Sequence, residues 1–118
     1  MAAGAAARRA LGGSGEDRAA SWYAANGYEV LARNWRCRQG EVDLIARRGH
    51  THVFCEVKTR TSDAFGVPAE AVTPAKQARL RRLAGRWLSE HACGPPGPVR
   101  FDVVAILGGH LEVIEGAF

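Results

Sequence analysis

The chain has 118 residues, 47% hydrophobic and 24% charged, the balance of one ordinary globular domain with a modest core. Sixteen Lys and Arg against twelve Asp and Glu leave a net charge of +4, which permits a phosphate-rich partner and equally a solvated surface without one. No apolar run approaches the ~18 residues of a membrane span, and three scattered cysteines (Cys37, Cys55, Cys93) fit neither a zinc signature nor a disulfide framework and suit a reducing cytoplasm.

Residues 1–13 are rich in Ala, Gly and Arg and contain no acid. This is the composition of a disordered tail, and its apolar part is too short and glycine-broken for a secretory signal. A single domain then occupies 14–118. Ser14 reads as a helix N-cap, with Asp17 three places on, and the helix should run to about Asn26, where Gly27 supplies the left-handed residue that ends it. Ala19, Trp22, Tyr23 and Asn26 follow its core-facing spacing. Glu16 sits in its first turn, where an acid by itself does no more than complement the helix dipole.

Tyr28 to Trp35 alternates as a strand, and Arg36 to Gly40 is a polar turn. Two apolar strands follow, Val42 to Ala46 and His52 to Thr59, around a bend of Arg47, Arg48, Gly49 and His50. His50 and His52 lie at the hairpin tip and read as surface residues. Thr61 to Pro74 reads mainly as loop. Thr73 caps a long helix with Pro74 at its first position, reaching about His91, with Leu80, Leu83, Ala84, Trp87 and Leu88 as its buried stripe. Lys76, Arg79, Arg82 and Arg86 recur on its other side, with Glu90 the one acid in the helix. Cys93 to Pro98 ends the helix. Val99 to Leu107 is a fourth strand, and Gly108–Gly109 turns it into a fifth, Leu111 to Ile114. Helix, three strands, helix and two strands predict an α/β fold, a central mixed sheet flanked by helices.

The central hairpin carries the chemistry. A strand buried on both faces has no ordinary use for charge, yet Asp43 lies in one strand and Glu56 in the other, with Lys58 two places on. Strand alternation puts Glu56 and Lys58 on one side, about 7 Å apart along the chain. Two carboxylates plus the Val57 carbonyl suffice for Mg²⁺, which keeps several waters. Lys58 would then orient water or stabilise charge on a phosphate, and the surrounding acids should raise its pKa.

These residues resemble the PD-(D/E)xK nuclease superfamily and, within it, the YraN-like (UPF0102) family of small bacterial proteins, related in fold to archaeal Holliday-junction resolvases. GED at 15–17, NGYEVLARNWR at 26–36, GEVDLIA at 40–46, EVKTR at 56–60 and RFDVV at 100–104 carry the likeness, which covers nearly everything after Ser14. It implies a restriction-endonuclease-like fold and places the motif acids on Asp43 and Glu56 and its lysine on Lys58. The first-helix glutamate of resolvase-like members falls on Glu16, and their glutamine in the helix after the motif falls on Gln77. The motif's proline is absent, since Val42 precedes Asp43. Glu41 is an extra acid beside the site, expected to point away from Asp43's neighbours on the strand and to serve at most as an outer supporting group.

The expected function is a metal-dependent nuclease acting on DNA phosphodiesters, resolvase-like in its preference for structure. Asp43, Glu56, Glu16 and Val57 would hold Mg²⁺ or Mn²⁺, Lys58 and Gln77 would assist, and Arg36, Arg38, Arg60, Lys76, Arg79, Arg82 and Arg86 would grip the nucleic-acid backbone. Symmetric cutting of a junction would ask for a homodimer. The alternative is a nucleic-acid-binding protein that keeps the nuclease fold without turnover.

Overall fold

A computed structural model describes residues 15–60, 72–91, 94 and 97–118, with residue 60 described by its backbone alone. The tail at 1–13, the Ser14 cap, residues 61–71 of the expected loop, Cys93 and the Arg60 side chain lie outside the described residues.

The order is α1 (15–25), β1 (Glu29–Cys37), β2 (Gly40–Arg48), β3 (Thr51–Arg60), α2 (Pro74–His91), β4 (Val99–Leu107) and β5 (His110–Ile114). Every expected element is present. The strands β1 to β3 run a residue or two further than the hydrophobic pattern suggests. The reason is pairing: Arg36 faces Glu41 and Cys37 faces Gly40 across β1 and β2, so the connecting turn shrinks to Arg38 and Gln39. Gly27 (φ 86) ends α1 and Gly49 (φ 62) turns β2 into β3, both in left-handed backbone that glycine takes without strain. The Thr73 hydroxyl accepts the Lys76 amide at 3.2 Å and starts α2.

The five strands lie in the order β1-β2-β3-β4-β5, antiparallel except for β3 and β4, which run parallel because α2 forms the crossover between them. The two helices cover opposite faces. Ala19 and Tyr23 of α1 pack on Leu44, Ala46, Val53, Cys55, Val104 and Ile106. Leu80, Leu83, Ala84 and Trp87 of α2 pack on Val42, Ile45, Phe54, Phe101 and Val103. With both faces covered, the central strands are near-continuous runs of Val, Ile, Leu and Phe. This is the restriction-endonuclease-like arrangement, an α/β fold with a mixed sheet between helices. Asn26 faces solvent rather than the core and bonds back to the Trp22 carbonyl. His52 is half-buried against Trp87, ring centroids 5.9 Å apart, so of the two tip histidines only His50 is a surface residue.

Candidate active site

The site forms where the central hairpin opens. Pairing between β2 and β3 runs from Arg48↔Thr51 to Leu44↔Cys55 and stops there. Beyond that point β2 stays with β1, and β3 continues beside β4 as far as Arg60↔Leu107. The Asp43 side chain fills the first vacated position: its Oδ2 accepts the Val57 amide at 2.8 Å. Val42 and Ile45 both pack toward α2, whereas Leu44 between them packs toward α1. Strict alternation is therefore lost at Val42–Asp43, and the Asp43 carboxylate lies in the plane of the sheet. Across from it on β1 is Asn34, which has a left-handed backbone (φ 52), while its neighbours Arg33 and Trp35 pair with Leu44 and Val42. A strand residue directs its N–H and C=O toward the same neighbour, so the Val57 carbonyl faces the same gap as the amide that Asp43 holds.

Glu56 and Lys58 project toward α2. Lys58 Nζ lies 2.9 Å from Glu56 Oε1, and Lys76 Nζ, from the first turn of α2, lies 3.9 Å from the same oxygen. Burial works against the Lys58 charge, but the hydrogen bond to Glu56 and the charges of Glu56 and Asp43 outweigh it, and its pKa rises. Asp43 is pushed up to about 6, chiefly by burial, with the carboxylates of Glu16, Glu56 and Glu41 adding to the push and the Val57 amide opposing it. Glu16 thus belongs to the electrostatic neighbourhood of Asp43. It reaches there because Gly15 lets α1 sit close on β3: a Cβ at Gly15 would stand 2.5 Å from Thr59 Oγ1.

Glu41 is exposed and stands at the edge of the site. Its charge is felt at Asp43, and Arg36 holds it through a hydrogen bond of 2.6 Å. That bond and the Glu41 charge raise the Arg36 pKa. Among the described residues no three His, Cys, Asp or Glu side chains stand together as a closed ligand set. Asp43, Glu56 and Glu16 share a field instead. The donors nonetheless fit Mg²⁺ or Mn²⁺ in kind. They are hard carboxylate and carbonyl oxygens, crowded so that like charge already raises Asp43, a repulsion that a cation relieves.

Gln77 is placed one residue after Lys76, but its amide donates to the Val72 carbonyl at 3.1 Å and ties down the start of α2. Arg38, Arg79 and Arg82 are exposed. Arg86 pairs with Glu90, the one acid of the helix, at 3.0 Å and donates to Gln39 at 2.6 Å.

Two residues escaped the sequence reading. Asn34 carries no signal beyond its tolerance of left-handed backbone. Asp102 carries the same signal as Asp43, an acid within an apolar strand. It is 1% exposed and accepts Tyr23 Oη at 2.6 Å, Arg100 Nε and Nη2 at 2.8 Å each, and the Gly116 amide at 3.1 Å. This acid is fully partnered and serves the core on the α1 side.

The model described as "Uncharacterised protein family UPF0102" matches residues 15–106, which include Glu16, Asp43, Glu56, Lys58 and Gln77. The chain is 53% identical to a UPF0102 protein of Acidothermus cellulolyticus over the whole of both chains. It is 59% identical to one of Beutenbergia cavernae over 86% of this chain and 85% of that one, and 56% identical to one of Streptomyces griseus with the same coverage. The chain belongs to the UPF0102 family, the YraN-like family that its motifs resemble.

Proposed function

We propose that this protein hydrolyses DNA phosphodiesters with the help of Mg²⁺ or Mn²⁺, in the manner the PD-(D/E)xK resemblance implies. The observation that carries the reading is Asp43: a carboxylate turned into the gap between two diverging strands, with Glu16 and Glu56 near enough to raise its pKa. Asp43, Glu56 and Glu16, with the Val57 carbonyl, would hold the ion. When bound there, it would supply Lewis-acid polarisation of a phosphate oxygen and a more acidic water.

The protein's own groups have separable tasks. The Val57 amide fixes the Asp43 carboxylate in one orientation before anything binds. Lys58 keeps its proton at neutral pH, so it stabilises negative charge on the reacting phosphate and orients water rather than accepting a proton. Gln77 anchors the start of α2, from which Lys76 reaches Glu56. Arg38, Arg79 and Arg82, with Arg36, Arg60, Lys76 and Arg86, would bind backbone phosphates, which position a duplex without reading its sequence. A branched junction as substrate would require a twofold dimer.

The second reading is a nucleic-acid-binding protein without turnover. The Lys58–Glu56 ion pair favours it, because that carboxylate oxygen already has a cation. A cleavage assay on linear, nicked and branched DNA with Mg²⁺ and with Mn²⁺ separates the two. Cutting that needs metal and disappears in Lys58→Ala supports hydrolysis. Binding without cutting supports the second reading, and cutting that persists in Lys58→Ala places the chemistry elsewhere.

A further inference from the structure

Of the sixteen basic residues in the chain only two are lysines, Lys58 and Lys76. They come from different elements, β3 and α2, yet both ammonium groups approach one atom, Glu56 Oε1. Elsewhere among the described ion pairs the chain meets its carboxylates with arginine: Arg33 with Asp17, Arg47 with Glu29, Arg100 with Asp102. The difference has physical content. A guanidinium is a planar fork that locks onto a carboxylate, whereas an ammonium is a rotatable point charge on a flexible stem and changes partners easily.

The two lysines are not equivalent. Lys58 is 19% exposed and closes on Glu56, which is itself 18% exposed; Lys76 is 35% exposed and stands a full ångström further away. Lys76 also lies in the first turn of α2, which contains no acid although that end of a helix favours negative charge. The Lys76 ammonium thus stands beside Glu56 at a helix end without an acid of its own, and it is free to attract an anion there.

We infer that Lys76 is a phosphate-binding residue of the site, parked on Glu56 until a divalent cation takes that carboxylate and then free to hold a backbone phosphate of the nucleic acid. The inference rests on the metal-dependent reading of Asp43 and Glu56. Its direction follows from charge. Both ammonium groups compete with a divalent cation for Glu56, so Lys76 opposes metal binding in the free protein. Once displaced, it is left beside added positive charge, and a phosphodiester becomes the anion that relieves the repulsion. Metal and nucleic acid then bind with positive coupling, and Lys76 carries part of it.

Calorimetry with Mn²⁺ alone, and binding of a short labelled DNA duplex with and without Ca²⁺ (which takes the same oxygen donors), test this in wild type, Lys76→Ala and Lys76→Arg. Lys76→Ala should bind Mn²⁺ about two- to fivefold more tightly than wild type, because a competing cation is gone. It should bind DNA about three- to tenfold more weakly in the presence of Ca²⁺, with the gain on adding Ca²⁺ reduced. Lys76→Arg, which keeps the charge but locks onto the Glu56 carboxylate, should bind Mn²⁺ no more tightly than wild type and recover DNA binding only in part. A residue that only supports the fold would not move the two affinities in opposite directions. Wild-type uptake of Mn²⁺ with Lys76→Ala unchanged in both measurements overturns this inference alone. A wild type that takes up no Mn²⁺ overturns the metal-dependent reading along with it.

Discussion

The Asp43 carboxylate accepts the amide of Val57 at 2.8 Å, so a side chain of β2 occupies the place where its backbone would have continued the ladder with β3. That contact marks the point where β2 and β3 part.

Burying this carboxylate has a measurable pH signature in metal-free protein. The Asp43 pKa is raised from 3.8 to about 6 on folding. A raised carboxyl contributes stability that is present below its unfolded value and is lost as pH rises through the folded value. Between pH 4 and 7, metal-free wild type should therefore lose stability relative to Asp43→Asn, by about 1–2 kcal/mol after allowance for solvent screening. Thermal melts of both proteins with chelator across that range check it; parallel curves would contradict it.

Gly15 and Gly85 make opposite predictions from one substitution. Gly15→Ala drives a methyl group into Thr59 Oγ1 and should lift α1 off β3, moving Glu16 from Asp43 and weakening Mn²⁺ binding. Gly85 lies within α2 with open space around it, so Gly85→Ala should stabilise the protein by about 0.5–1 kcal/mol and leave metal binding unchanged. Urea unfolding and metal titration on both variants separate stability from site geometry.

Asp102 is the acid whose loss should be structural. Asp102→Ala leaves the Arg100 guanidinium and the Tyr23 hydroxyl without their shared partner. Breaking a buried charge pair from one side costs about 3–5 kcal/mol. Denaturant midpoints should fall accordingly, and Mn²⁺ affinity of the folded fraction should not change.

How much of this is legible in the sequence depends on the range of the interactions. The hairpin of β2 and β3 and both helices with their faces can be read, because Gly49, Thr73, Gly27 and the apolar spacing act locally. The convergence of Asp43 with Glu56 follows from the hairpin. The in-plane turn of Asp43 does not, since it depends on Asn34 in the next strand and on β3 leaving β2 to follow β4. Asp102 looks no different from Asp43 along the chain; only the fold brings Tyr23, 79 positions away, to its carboxylate.

The basic face of α2 should act through phosphates. Arg79→Glu combined with Arg82→Glu should weaken DNA binding across sequences alike and reduce the slope of log affinity against log salt by about 2. Binding measured at several salt concentrations checks it, and an unchanged slope would remove these two residues from the contact.

The most direct measurement is a Mn²⁺ titration of wild type and Asp43→Ala by calorimetry at pH 7. Saturable binding by the wild type and its loss in Asp43→Ala is the expected result. Equal heats from the two proteins would mean that no divalent cation is held in the gap between β2 and β3.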